Sequence, residues 1–125
     1  MKTNTFILIV SAYSLLLGLP AVFAPDMALE YFGGTVGNMN EHSSINFIGG
    51  YQLAMGYLGF ITYRSTDGAV RRGWLLAITF LTIFAITVVL FNLNVRNMPP
   101  TKTLYVDIAI WASMALGALY FRSKE

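Results

Sequence analysis

Asp107 is the residue of this chain whose type and surroundings most suggest chemistry. It lies in an apolar stretch, about one helical turn after Thr103. Charged side chains inside membrane-length apolar segments are rare, and they are usually paired or functional. On a helix, Asp107 shares a face with Trp111 and Met114. Asp107 is therefore the first candidate for a binding or transport residue.

Further polar residues lie at the predicted helix ends on the same side of the membrane. Together with Asp107 they form the candidate polar cluster: Asn46, Asn92, Asn94, Arg96, Glu41 and His42. Two interpretations stay open. Asp107 either fastens two helix ends by pairing with Arg96 or Lys102, or it lines a pocket open to the outer leaflet with Asn46 and Asn92. A proton or ion path is less supported, because no second carboxylate, histidine or lysine lies in the inner half of a predicted span.

The composition excludes several kinds of chemistry. The chain has no cysteine, which excludes disulfides, thiolate nucleophiles and cysteine-bound zinc. His42 is the only histidine, which excludes bis-histidine haem and HExxH-type zinc sites. We expect no cofactor and no metal. An enzyme would have to couple Asp107 with His42 or Glu41 as acid and base, so the balance is against catalysis, and a membrane enzyme acting on a lipid-like substrate ranks third among the function classes.

Four apolar stretches position these residues. They cover residues 5–25, 45–63, 73–93 and 103–121, and each is close to the roughly 20 residues that cross a bilayer core. The chain is 56% hydrophobic and only 11% charged, as membrane proteins are. The sequence therefore predicts an all-α, integral membrane four-helix bundle with up-down-up-down topology. It forms a single domain over residues 1–125.

Shorter signals lie between the first two stretches. Residues 26–33 alternate acidic and apolar types with helical spacing, which predicts a short interfacial helix. Gly33 and Gly34 are expected to stop it. Ser43 or Ser44 is expected to cap the second long helix.

The distribution of basic residues predicts the orientation. Arg96 and Lys102 lie in one set of loops, whereas the other basic residues lie at the two ends of the chain and in the 64–72 turn: Lys2, Arg64, Arg71, Arg72, Arg122 and Lys124. Basic residues favour the cytoplasmic side, so both termini are expected to be cytoplasmic. The net charge of +2 then reflects topology, and the expected partner is the lipid bilayer rather than nucleic acid.

Small residues mark the faces expected to pack. In lipid, helices associate where small side chains let their backbones approach. The second stretch offers Gly49, Gly50, Ala54 and Gly56, and the fourth offers Ala109, Ser113 and Gly117 at i, i+4 and i+8. We expect the first or fourth helix to lie against one broad face of the second helix, formed by Asn46, Gly50 and Ala54 with Gly49 and Gly56 at its flank. Use of these faces between protomers stays open.

The layout resembles the small DoxX-like four-helix bacterial membrane proteins. Two features carry the resemblance: Gly18-Leu19-Pro20 followed by Ala24-Pro25, and the pattern Asn46-x-x-Gly49-Gly50-x-x-x-Ala54-x-Gly56. The resemblance covers nearly the whole chain. It implies a multi-pass fold in the bacterial inner (plasma) membrane and no particular reaction.

These observations predict a non-enzymatic integral membrane protein. We expect it to serve as an accessory or structural subunit of a larger or homo-oligomeric membrane assembly, with other membrane proteins or itself as partner. The alternative is a small transporter, channel or lipid-binding module that uses the polar cluster around Asp107.

Overall fold

A computed structural model describes residues 1–125 as five α-helices. They are α1 (Thr3–Phe23), α2 (Pro25–Phe32), α3 (Met39–Arg64), α4 (Gly68–Asn94) and α5 (Leu104–Arg122). The chain divides into two compact units, residues 1–64 with α1 to α3 and residues 65–125 with α4 and α5. The single domain expected over residues 1–125 stays a prediction.

The structure is all-α, but the predicted four-helix bundle is wrong. There are five helices, because residues 25–32 form a helix of their own. Only α1, α4 and α5 are long and apolar enough to cross a membrane. Of the four predicted spans, the one that fails this criterion is α3, whose glycines and tyrosines, with Asn46 and Gln52, dilute its apolar residues. The up-down-up-down topology and the cytoplasmic placement of both termini depended on four spans and are withdrawn with them.

The helix α1 ends where two prolines interrupt the backbone. Pro20 lies inside the last turn, and the N–H of Ala24 donates to the carbonyl of Pro20 over 2.8 Å. Pro25 then occupies the first turn of α2, where its missing N–H is not needed. The short helix expected over residues 26–33 is thus confirmed as a helix, and Gly33 ends it with a φ of 77°.

In the first unit, α1 and α3 pack antiparallel through glycines that face larger side chains. A Cβ on Gly18 would lie 2.9 Å from the backbone nitrogen of Leu53, and one on Gly56 would lie 2.7 Å from the side chain of Leu15. A Cβ on Gly49 would lie 2.7 Å from the Cβ of Ala21. In each contact a side chain of one helix fills the space that a glycine of the facing helix leaves open. The backbones therefore approach as closely as glycine allows.

Only the flank of the expected α3 face meets α1, and its centre does not. Gly49 and Gly56 contact α1, whereas Gly50 and Ala54 are exposed, and nothing lies within 4 Å of a Cβ added to Gly50. The reason is complementarity, because Leu53 lies between the two contacting glycines and fits against Gly18. For the Gly50 and Ala54 face, contact with some other neighbour stays a prediction.

In the second unit, α4 and α5 pack against each other along one buried stripe on each helix. The stripe of α4 contains Arg71, Trp74, Leu75, Ile78, Thr79 and Thr82, and that of α5 contains Leu104, Asp107, Ala115, Ala118 and Phe121. The hydroxyls of Thr79 and Thr82 donate to carbonyls one turn earlier, at 2.9 and 2.8 Å. These threonines therefore satisfy their own hydrogen bonds. Ala109 and Ser113 are exposed and Gly117 is half-buried.

Candidate functional site

The connection between α2 and α3 is a tight, polar turn. The N–H of Gly34 donates to the carbonyl of Leu29 over 2.7 Å, and the N–H of Gly33 donates to that of Glu30. This pair of bonds is the Schellman arrangement that ends many helices. A Cβ on Gly34 would lie 2.7 Å from the side chain of Leu29 and 2.8 Å from a carboxylate oxygen of Glu41. Any larger residue at position 34 would therefore collide with Leu29 and Glu41, so glycine allows the start of α3 to lie close to the end of α2.

Asp26 holds this connection together from the first turn of α2. Its Oδ1 accepts a hydrogen bond from the backbone N–H of Gly37 over 2.9 Å. The same oxygen lies 2.5 Å from the Nε2 of His42, in the first turn of α3. A carboxylate can only accept, so the imidazole donates. One oxygen atom therefore joins α2, the loop and α3, and we call Asp26, Gly37 and His42 the Asp26 latch.

Glu41 and Asn38 complete the beginning of α3. The Oε2 of Glu41 accepts from the N–H of Thr35 over 2.6 Å. The Oδ1 of Asn38 accepts from the N–H groups of Asn40 and Glu41, at 3.0 and 3.3 Å. Asn38 thus caps the helix, which begins at Met39. The cap expected at Ser43 or Ser44 is wrong, because the helix already has its first turn before those serines.

Hydrogen bonding lowers the pKa of Asp26 below its ordinary value of 3.8. The backbone N–H of Gly37 contributes most and the side chain of His42 contributes next, because both donors favour the ionised carboxylate. Because the pKa of Asp26 is lower in the folded chain than in the unfolded chain, its ionised carboxylate stabilises the fold at pH values above 3.8. This stabilisation is lost as the pH falls through the lower, folded-state pKa.

We therefore expect Asp26→Asn to lower the thermal unfolding midpoint at about pH 6, where the wild-type carboxylate is ionised. At a pH low enough to protonate Asp26 in both the folded and the unfolded chain, we expect the substitution to make little difference. Thermal unfolding of the two proteins across the acidic range measures this. Glu30→Gln, on the same helix and exposed, is the control and is expected to have little effect at any pH. A difference for Asp26→Asn that persists unchanged at low pH would contradict the latch.

Asn46 lies one turn deeper in α3. Its side chain is half-buried, and its Oδ1 is buried without a hydrogen-bond partner. With Ser43 and Phe47 it lines an open hollow of about 310 Å³. A buried polar atom without a partner is uncommon in proteins, and it usually indicates strain or a function.

The remaining members of the polar cluster lie where α4 leads into α5. The Nδ2 of Asn94 donates to the carbonyl of Leu90 over 2.7 Å, and the carbonyl of Asn92 accepts from the N–H of Met98 over 3.0 Å. The guanidinium of Arg96 lies 5.4 Å from the ring centroid of Phe91. These contacts are local, and they shape the end of α4.

Asp107 is buried, with 3% of its surface exposed. It lies in the first turn of α5, where its N–H donates to the carbonyl of Thr103 over 2.9 Å. The structure thus divides the candidate cluster. Glu41, His42 and Asn46 lie in the first unit, and Asp107 lies in the second with Asn92, Asn94 and Arg96. That the seven residues form one site stays a prediction.

A charged contact that the sequence did not indicate joins the start of α4 to the residues after α5. The Nε of Arg71 donates to Oε2 of Glu125 over 2.7 Å, and its Nη2 donates to Oε1 over 2.9 Å. The Nη1 of Arg71 also donates to the carbonyl of Ser65 over 3.2 Å. The side chains of Arg71 and Glu125 are only 9% and 16% exposed. This two-point pairing, which we call the Arg71 clamp, is the strong form of an arginine–carboxylate contact.

Sequence reasoning missed both the latch and the clamp. Asp26 and His42 are 16 residues apart, and Arg71 and Glu125 are 54 apart. In each pair the two residues belong to different segments of the fold, so the periodicity within one helix does not indicate the pairing. One feature of the sequence could have indicated the clamp: Arg71 and Arg72 directly precede an apolar run. An arginine at the start of such a run is usually paired with an acidic side chain.

The three long apolar helices fit an integral membrane protein, and this is the class that the fold defines. Comparison with known proteins adds no narrower assignment: no family model, no curated protein and no solved structure matches the chain.

Proposed function

We propose that this chain is a multi-pass integral membrane protein without enzymatic activity of its own, and that it serves as an accessory or structural subunit of a membrane assembly. The assembly is either a larger complex or a homo-oligomer. The proposed crossings are α1, α4 and α5, the helices with sufficient apolar length, and α3 is proposed to lie along α1 within the membrane, covered in part by protein. The proposed location is the bacterial inner membrane, and it is based only on the resemblance to the DoxX-like proteins.

One observation carries this proposal, namely an exposed stripe on α3 that is suited to another helix. Its residues are spaced alternately by four and three and all are exposed: Ser43, Phe47, Gly50, Ala54, Tyr57 and Ile61. We call them the α3 stripe. A 4–3 spacing keeps side chains on one seam along a helix. The stripe lies opposite the face that packs on α1, so it is free to meet a neighbour.

The surroundings of α3 favour a protein neighbour over lipid. Because Gly49 lies against Ala21 and Gly56 against Leu15, α3 follows α1 and shares its surroundings. Yet α3, unlike α1, does not qualify as a membrane-crossing helix. A helix of this composition is better covered by protein than by acyl chains. Gly50 and Ala54, at the middle of the stripe, allow the close backbone approach that associating membrane helices use.

A photo-crosslinking experiment tests the proposal. Tyr57 and Tyr51 are both exposed, at 65% and 72%, and lie about 120° apart around α3. A photoreactive phenylalanine analogue at Tyr57 is on the α3 stripe, and the same analogue at Tyr51 is the matched control. In native membranes we expect position 57 to give one discrete protein adduct and position 51 to give mainly lipid adducts. An adduct of twice the chain mass indicates a homo-oligomer. Lipid adducts alone at both positions would refute the proposal.

The second candidate is a small transporter, channel or lipid-binding module. The burial of Asp107 in an otherwise apolar helix favours it, because buried charge in a membrane segment is expensive and is kept for function or for pairing. If position 57 yields only lipid, this candidate becomes the better one.

A further inference from the structure

The open end of the α4–α5 hairpin, residues 67–72 and 122–125, brings basic side chains together. The Nη1 of Arg72 donates to the backbone oxygen of Glu125 over 2.7 Å, beside the Arg71 clamp. A Cβ on Gly68 would lie 3.2 Å from the same Nη1 and 3.3 Å from the same oxygen. Arg72 is therefore held against the residues that follow α5, close along the backbone to Lys124 and Arg122.

The acidic groups at this end are already engaged. Asp67 caps α4, with its Oδ1 accepting from the N–H of Ala69 over 2.7 Å. Glu125 pairs with Arg71 through both carboxylate oxygens. Arg72, Arg122 and Lys124 are all exposed. The side chains of Asp67 and Glu125 supply two negative charges against the four positive charges of Arg71, Arg72, Arg122 and Lys124, so the open end keeps an excess of positive charge.

The position of this end along the helices matches the depth of lipid headgroups. A helix of 27 residues is about 40 Å long, which exceeds the roughly 30 Å of a hydrocarbon core. The apolar part of α4 begins just after Arg72. Just after α5, the ammonium of Lys124 lies 5.0 Å from the ring centroid of Tyr120, and aromatic and basic residues together are typical of the membrane interface. In a membrane crossed by α4, as proposed above, the cationic groups would be at the depth of the lipid phosphates.

We propose that the open end binds the headgroups of anionic phospholipids in the surrounding membrane. Arg72 and Arg122 supply planar guanidinium groups that can bind phosphate at two points, and Lys124 supplies a point charge. The Arg71 clamp contributes by holding the two segments together, since Arg72 and Lys124 would otherwise belong to separate helix ends. The loop end of the hairpin lacks such a clamp: Arg96 lies on Phe91, and Lys102 follows Pro99 and Pro100.

A lipid titration tests this inference on the purified chain in neutral detergent. Short-chain phosphatidylglycerol and phosphatidylcholine, which differ in net charge, are compared by calorimetry. We expect the wild-type chain to prefer the anionic lipid and to lose the preference at high salt. Arg122→Gln with Lys124→Gln is expected to weaken phosphatidylglycerol binding about 10- to 30-fold, since each basic group near a membrane surface contributes a factor of about five. Arg96→Gln with Lys102→Gln removes the same charge from the loop end and is expected to change it less than threefold.

Each other outcome has a clear meaning. Equal losses in the two double variants would overturn the assignment to the open end, and no preference in the wild-type chain would overturn it without any variant. Glycerol phosphate, which has the headgroup but no acyl chains, is expected to bind far more weakly; equal binding would indicate a site for free anions instead. The proposed role in an assembly does not depend on this result, because it rests on α3.

Discussion

Replacing Glu125 by leucine is expected to lower the free energy of unfolding by about 3 kcal/mol, because it leaves a largely buried arginine without its anion. The side chain of Arg71 is 9% exposed and uses two of its nitrogens on Glu125. In the variant those donors lose both acceptors in a place where water reaches them poorly. Thermal or denaturant unfolding of the detergent-solubilised chain measures the loss.

A double variant separates the loss of pairing from the loss of packing. Arg71→Met with Glu125→Leu removes both charges and is expected to recover most of the lost stability, since an apolar pair often replaces a buried ion pair at no net loss. Lys124→Leu, an exposed neighbour, is the control and is expected to stay within about 0.5 kcal/mol of the wild type. If the double variant is as unstable as Glu125→Leu alone, the clamp contributes by packing and the electrostatic account is wrong.

Gly56→Val is the second change with a large expected effect. The added Cβ would lie 2.7 Å from the Leu15 side chain and 3.0 Å from the carbonyl oxygen of Ser11. Leu15 can adopt another rotamer, but the backbone carbonyl can yield only if α1 and α3 separate. Overpacking of this kind typically costs about 1–3 kcal/mol, and we expect the upper part of that range.

Gly50→Val is the matched control on the same helix, because a Cβ on Gly50 would meet nothing within 4 Å. We expect the solubilised Gly50→Val chain to unfold close to the wild-type midpoint. In native membranes the same variant is expected to weaken assembly, since Gly50 lies on the α3 stripe. Equal destabilisation by Gly50→Val and Gly56→Val in detergent would show that α1 does not pack specifically on the Gly56 side of α3.

The three helices that can cross a membrane were predictable to within about two residues at every end except the start of α4, which begins at Gly68 rather than at residue 73. The stretches 5–25, 73–93 and 103–121 correspond to α1, α4 and α5, which cover Thr3–Phe23, Gly68–Asn94 and Leu104–Arg122. An apolar run of this length has few other stable conformations, because an unpaired backbone is too costly in lipid. The second stretch, 45–63, differs from its helix in length and in apolar character. Its helix α3 begins earlier, at Met39, because Asn38 caps it.

The candidate site was predictable only as residue types. Asp107 and Asn46 were singled out because polar groups in apolar surroundings are costly, and both prove to have buried polar atoms or surfaces. Their neighbours could not be derived, because helical spacing orders the residues of one helix and says nothing of which helix lies opposite. The division of the polar cluster between two units shows this limit.

The sequence by itself determined that α1, α4 and α5 are helical and apolar, because both properties follow from runs and periods along the chain. The tertiary structure alone decided which face of α3 meets α1: Gly49 and Gly50 are adjacent and chemically identical, yet only Gly49 has a complementary surface opposite it. It also decided that Asp26 meets His42 and that Arg71 meets Glu125. A charged contact forms when packing brings two distant segments within about 3 Å, and that distance is set by the shapes of whole helices rather than by the residues that finally pair.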